Sequence, residues 1–291
     1  MLSAVSQICW GILPIYWKLL IRYPVYEIYA HRMLWCCVFA VLLIVLTGRI
    51  KASKTELQMI FSDPRKIAGV IGATIFINSN WFLYIWAVNN NHVIDASLGF
   101  YIGPLISVLL AIVFLREHIP RLQTVAFLLA LLGVINMIWQ LGQLPWISLF
   151  LATSFAAYGL LKKTIHLHAV VGLWLETIVG CIAGLIAIIY MQRIGIGHFE
   201  FGSGAGFLFI GAGIVTAVPL MLFTQSVKYL PLKVVGFIQY FSPSIQLFLG
   251  VYLYHETFTS SHLISFIFIW AGLILFSWSQ SKTTLIVQPD K

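Results

Sequence analysis

YIGP at residues 101–104 recurs as YFSP at residues 240–243, and each phrase is followed thirteen residues after its proline by a glutamate, Glu117 and Glu256. Adding 139 to a residue number carries the first phrase onto the second. Without a gap it also carries Ile71-Gly72-Ala73 onto Ile210-Gly211-Ala212, Val88 onto Val227, Phe127 onto Phe266 and Gly133 onto Gly272. Nearer the N-terminus, Trp10-Gly11 matches Tyr158-Gly159 and Glu27 matches Glu176 at shifts of 148 and 149, the difference being absorbed by the long polar stretch 48–66 of the first copy. The chain therefore reads as two copies of one unit, 1–140 and 145–280, with 281–291 left as a tail.

Composition says what kind of unit this is. Hydrophobic residues make up 60% of the 291 and charged residues only 9%, with a mean hydropathy of +0.96. That is more apolar surface than a water-soluble core can bury, so the fold class is an all-α integral membrane protein. Apolar runs of about 20 residues, enough to cross a bilayer as helices, lie near 2–21, 27–47, 67–88, 95–115, 121–139, 145–161, 169–190, 205–227, 233–254 and 261–280. They predict ten transmembrane helices, five per copy, and are too long for the roughly ten-residue alternating strands of a membrane barrel. Residues 1–21 have neither a basic start nor a small-residue cleavage site and are read as the first helix.

An odd number of helices brings the second copy into the bilayer from the opposite side, so the two five-helix repeats are inverted about an axis in the membrane plane. With the N-terminus inside, thirteen Lys and Arg, Lys162 and Lys163 among them, fall on the inner side and three on the outer, with Arg32 inside a helix. Both termini are therefore expected in the cytoplasm. The net charge of +8 then faces anionic lipid headgroups, and no nucleic-acid partner is needed to explain it.

Polar groups at bilayer depth mark the expected site. Pro104 and Pro243 each remove a backbone donor inside an apolar helix, so these helices are expected to kink and to free carbonyls near the midplane. Gly99, Phe100, Tyr101 and Gly103 flank the first proline, and Gly236, Phe237, Gln239, Tyr240 and Ser242 the second. Helix three carries Asn78, Asn80, Trp81 and Tyr84; its counterpart carries Thr216, Pro219, Thr224 and Gln225. Taken singly, such residues are explained by helix-joining hydrogen bonds of about 0.6 kcal/mol each. Their concentration points to a shared cavity among helices three, four, eight and nine, with Trp10, Tyr16 and Tyr158 completing its wall.

Ionisable residues within the helices are fewer. Glu27 and His31 are spaced i, i+4 on helix two, Arg32 follows, and Glu176 lies in helix seven. Two readings stay open: a structural Arg32–Glu176 pair across the repeat axis, or charge compensation and proton coupling by these groups. His92, His118, His166, His168, His198, His255 and His262 fall near helix ends and read as interfacial. Cys9, Cys36, Cys37 and Cys181 sit in apolar helices without metal-type spacing, so no metal or other cofactor is expected. The chain lacks a phosphate-binding Gly-x-x-x-x-Gly-Lys-Ser/Thr loop, a His-Glu-x-x-His element and a Gly-x-Ser-x-Gly element, which argues against ATP hydrolysis by that route and against an enzyme.

The segments WGILPIYWK from Trp10, EIYAHRMLW from Glu27, NWFLYIWAVNNNH from Asn80, ASLGFYIGPL from Ala96, YGLLKK from Tyr158, Glu176-Thr177, VTAVPL from Val215 and GFIQYFSP from Gly236 resemble the RarD branch of the EamA group, within the drug/metabolite transporter superfamily. The resemblance spans nearly the whole chain. It implies the ten-helix, two-repeat fold, the bacterial inner membrane, and a permease role under a family label that mentions chloramphenicol sensitivity; other members of the superfamily export amino acids and toxic compounds. Gly103 stands where many members have Asn, and the N-terminus is about ten residues shorter than is usual in the family. The leading expectation is a secondary transporter of a small organic solute working by alternating access. Asn80, Trp81, Tyr84, Tyr101, Gln239 and Tyr240 would line its site with Trp10 and Tyr158, and Pro104 and Pro243 would shape it. The alternative is a non-transporting receptor or assembly subunit that binds a ligand in the same cavity.

Overall fold

The computed structural model describes residues 1–89, 93–141, 146–165, 167–253 and 260–286. It is 87% helix, with no strand among the described residues. In chain order the helices are α1 (Leu2–Leu19), α2 (Val25–Leu46), α3 (Ile50–Phe61), α4 (Pro64–Asn89), α5 (Val93–Leu115), α6 (Arg121–Leu141), α7 (Trp146–Ile165), α8 (Ala169–Arg193), α9 (Gly204–Tyr229), α10 (Leu232–Ile238), α11 (Phe241–Phe248) with a π-turn over Leu249–Leu253, and α12 (Ser260–Ile286).

Among the described residues, six of the ten expected spans are long and apolar enough to cross a membrane, namely Val25–Leu46, Pro64–Tyr84, Arg121–Gln140, Ala169–Arg193, Gly204–Tyr229 and Leu232–Leu253; Gly99–Leu115 and Leu263–Ser279 are shorter apolar helices. Neither α1 nor α7 is among these eight. Both carry polar side chains on their buried faces, Ser3, Ser6 and Gln7 on α1 and Ser148, Ser154 and Lys162 on α7, which lowers their mean hydropathy.

Helix packing comes in related pairs. α1 packs on α9 and α4 on α7; α2 packs on α9 and α4 on α8; α2 meets α8, α6 meets α12, and α5 meets α10. Exchanging each helix for the one its sequence matches turns these contacts into one another. At the α6–α12 crossing the correspondence reaches single residues. A Cβ built on Gly133 would sit 2.7 Å from the Ser265 carbonyl oxygen, and one built on Gly272 would sit 2.7 Å from the Ala126 carbonyl oxygen, where 126 and 265, like 133 and 272, differ by 139. Small residues here let two backbones touch, which is how helices gain packing energy in lipid.

Three local findings refine the sequence reading. First, the polar stretch 48–66 is not a bare connection: it contains α3, and Asp63-Pro64 starts α4, with the Asp63 Oδ1 accepting from Arg65 N–H at 2.9 Å and proline in the first helical position. Glu56 of α3 sits 3.6 Å from Arg49 and accepts the His168 N–H at 3.2 Å, fastening α3 to the start of α8. Burial, and then the Arg49 charge, hold the His168 imidazole below its ordinary value. Second, Pro104 is accommodated within continuous α5, whereas its counterpart segment is divided at Gln239–Tyr240 into α10 and α11. Pro243 stands in the first turn of α11, where no intrahelical donor is required. Third, α12 runs on to Ile286, so the residues after 280 begin as helix.

Glu117 answers why a glutamate follows the first Tyr-x-x-Pro. Its carboxylate accepts the N–H groups of Leu232 at 2.8 Å and Lys233 at 3.2 Å, the first turn of α10, so the end of a first-copy helix caps a second-copy one. Glu117→Gln keeps the shape and loses the charge, and should lower stability by about 0.5–2 kcal/mol. An unchanged thermal unfolding midpoint in detergent would show the cap to be unimportant. Glu256, His92, His166 and His255 lie outside the described residues.

Candidate functional site

Six segments turn polar or aromatic faces toward one cavity. On α1, Gln7, Trp10, Pro14 and Trp17 follow at intervals of three, four and three, a single helical stripe. Asn80, Trp81 and Tyr84 come from α4, and Gly99, Phe100 and Gly103 from α5. Leu151, Ala152 and Phe155 of α7 form the facing wall, Gln239, Ser242, Pro243 and Gln246 come from the broken α10–α11 segment, and Arg32 reaches in from α2. The cavity is open at its mouth, and the atom-free space within it, open solvent included, is about 940 Å³. Gly103 is not demanded by packing, since a Cβ there would meet nothing closer than 3.9 Å; its bare position enlarges the cavity.

The polar groups are mostly fixed from behind. Asn80 Nδ2 donates to the Leu151 carbonyl at 2.7 Å and to Ser154 Oγ at 2.9 Å, which orients the amide from α7. Gln246 Nε2 donates to the Trp10 carbonyl at 3.2 Å and to Ser242 Oγ at 3.3 Å, joining α11 to α1. Arg32 lies with its guanidinium carbon 4.2 Å from the centre of the Trp81 ring and 5.6 Å from that of Trp17, a cation held against aromatic faces.

Of the residues expected to form the site, Trp10, Asn80, Trp81, Tyr84, Gln239 and Pro243 line the cavity, as does Arg32. Tyr101 and Tyr240 stand behind its wall, buried with Phe266 and Ile269. The Tyr101 hydroxyl donates to the Pro243 carbonyl at 3.2 Å, so the tyrosine of one repeated phrase grips the proline of the other. Tyr16 packs against Leu20 and Phe209 instead, its hydroxyl donating to the Leu208 carbonyl. Glu27 and His31 also lie elsewhere. Glu27 receives the His198 N–H at 2.6 Å and sits 2.7 Å from His198 Nδ1, while His31 accepts from Trp35 Nε1 and stacks between Phe199 and Phe209. Together they pin the segment between α8 and α9 onto α2.

Of the two readings left open for Glu176, the pair with Arg32 is not formed; Glu176 meets a different cation. Lys162 Nζ lies 2.6 Å from Glu176 Oε1, with both side chains 3% exposed. The second carboxylate oxygen accepts from Tyr158 at 3.1 Å, and the Tyr158 hydroxyl is 3.3 Å from Thr224 Oγ1. The lysine ammonium occupies the space over α8 that a side chain at Gly172 would need, since a Cβ there would come within 2.4 Å of Nζ. Its position in Tyr-Gly-Leu-Leu-Lys-Lys groups Lys162 with the inner-side cations. The lysine instead turns back along α7 toward the carboxylate, because an unpaired charge at that depth is costly. Gln7 and Trp17 were likewise missed, although the α1 stripe that contains them is legible in sequence as Q-x-x-W-x-x-x-P-x-x-W.

The EamA-like transporter family model matches residues 1–139 and again residues 144–278. The chain belongs to this family. Among relatives, the uncharacterized transporter YojE of Bacillus subtilis is 43% identical over 283 residues, covering 96% of this chain and 93% of that one. Protein RarD of Escherichia coli is 37% identical over 277 residues, covering 95% and 92%. A solved crystal structure is similar in fold, with a TM-score of 0.69 at 15% identity, covering 95% of this chain and 96% of that one. As an EamA-family member with several apolar membrane helices and bacterial RarD homologues, the protein is a multi-pass inner-membrane protein with a transporter role.

Proposed function

We propose that the protein is a secondary transporter that moves a small organic solute through the bilayer by alternating access between two inverted halves, with the cavity as its solute site. The observation that carries this reading is the cavity itself. Helices α1, α2, α4 and α5 from the first half and α7, α10 and α11 from the second enclose it, so a shift of one half against the other would open it to either side. The related pairs of helix contacts and the two successive family matches support two equivalent packings. In this reading Glu176 is the proton-coupling group, and Lys162 is the partner that its protonation would release.

The test is uptake of labelled amphipathic solutes into liposomes holding the purified protein, with and without an imposed pH gradient. Uptake that follows the gradient and is lost in Glu176→Gln is the expected result. Gln239→Ala, which removes a cavity amide, should lower uptake about tenfold while leaving the protein folded. Saturable binding with no flux of any solute would overturn transport and favour the receptor reading.

A further inference from the structure

The cavity contains a cation, Arg32, for which the described residues supply no counterion. Arg32 is 7% exposed, and among the described residues no carboxylate lies within ion-pair distance of it; the three ion pairs there involve Glu56, Glu176 and Glu27. Among the described residues the ionisable groups that act on it electrostatically are Tyr29, Tyr84 and Cys36, all neutral forms at ordinary pH. Its Nε is a buried donor with no partner, and so is Nε2 of Gln7, another cavity residue. A buried guanidinium left in this state is expensive, and two orphaned donors beside one cavity ask for an acceptor. No Asp or Glu is among the described residues that line the cavity.

We propose that the solute is a monovalent organic anion, whose carboxylate sits on Arg32 and whose flat apolar body lies among Trp10, Trp81, Tyr84 and Phe155. The inference deepens the transporter reading and rests on its cavity. Each feature of the solute follows from a feature of the wall. The forked guanidinium matches a carboxylate in two parallel hydrogen bonds, and the stacked face of Trp81 fixes the plane in which that fork can offer them. A single cation sets a single negative charge, since a dianion would carry one unit unpaired. Among the described residues of the wall an ammonium group on the solute would find only amide and hydroxyl oxygens, so an acid without an amine fits these residues better than an amino acid. The aromatic walls supply stacking for a ring.

The experiment uses one ring with four head groups: indole-3-acetate, tryptophan, indole-3-acetamide and tryptamine, measured for binding to the purified full-length protein and for flux in liposomes. The acid should bind best, tryptophan next, and the amide about tenfold to a hundredfold more weakly than the acid, with tryptamine weakest. In Arg32→Gln the spread should collapse to within about threefold, and Arg32→Lys should restore part of it. The wild-type order alone decides the matter even where a variant fails to fold. Equal or tighter binding of the amide or of tryptamine, or an acid dissociation constant above about 10 mM, would overturn the proposal. Flux without preference for the acid sinks the anion site and keeps transport; preference for the acid without flux sinks transport and keeps the anion site.

Discussion

Lys162→Met destabilises the protein by about 3–5 kcal/mol, because it leaves Glu176 charged, buried and without its partner. Thermal unfolding in detergent should show the loss directly. Lys162→Met combined with Glu176→Met should recover most of it, since replacing both members of a buried pair by apolar side chains of similar size removes the desolvation cost along with the attraction. The surroundings make the prediction specific. Tyr158 would still donate to the abandoned carboxylate, but one neutral hydrogen bond does not replace an ion pair at 2.6 Å. A single variant that melts with the wild type would mean that Glu176 is not ionised in the resting protein, and the pair would lose its place in the coupling argument. The double variant also separates stability from function: if it is stable and carries solute without regard to a pH gradient, the pair serves coupling and not folding.

Gly133→Ala and Gly272→Ala should each cost about 1–3 kcal/mol, and by similar amounts. Each new methyl would come within 2.7 Å of a backbone carbonyl on the opposite helix, which cannot rotate away as a side-chain end would, so α6 and α12 must separate. The double variant should cost less than the sum, because one displacement relieves both clashes. Gly204→Ala serves as the control, for a Cβ there meets nothing within 4 Å. Unequal costs, one large and one negligible, would show that the two halves do not share this crossing symmetrically.

Much of this was legible in the sequence for physical reasons that act locally. The 139-residue shift, the long apolar runs and the polar residues Asn80, Trp81 and Gln239 at membrane depth identify a repeated helical membrane protein and part of its cavity, because lipid tolerates such groups only where they face protein or water. Arg32 was singled out on the same ground. The partner of Glu176 was not, since nothing in one dimension tells whether Glu176 meets an arginine on α2 or a lysine fourteen residues earlier on the neighbouring helix. Tyr101 and Tyr240 show the same limit. Each lies within three residues of a cavity-lining position, yet helical rotation turns both phenols toward Phe266 and away from the solute space.

Read along the chain, the residues settle the class of the protein, the repeated phrases 139 positions apart and the stock of polar groups inside the membrane, because hydropathy and repetition are properties of the chain. Tertiary structure alone decided which of those groups meet. Packing set Lys162 against Glu176, sent Glu27 to His198 and Tyr101 to the carbonyl of Pro243, and left Arg32 facing the cavity with no acid among the described residues beside it. Charge pairing in a low-dielectric interior depends on distances of a few ångströms between helices, and those distances are fixed by how the helices pack, not by their order along the chain.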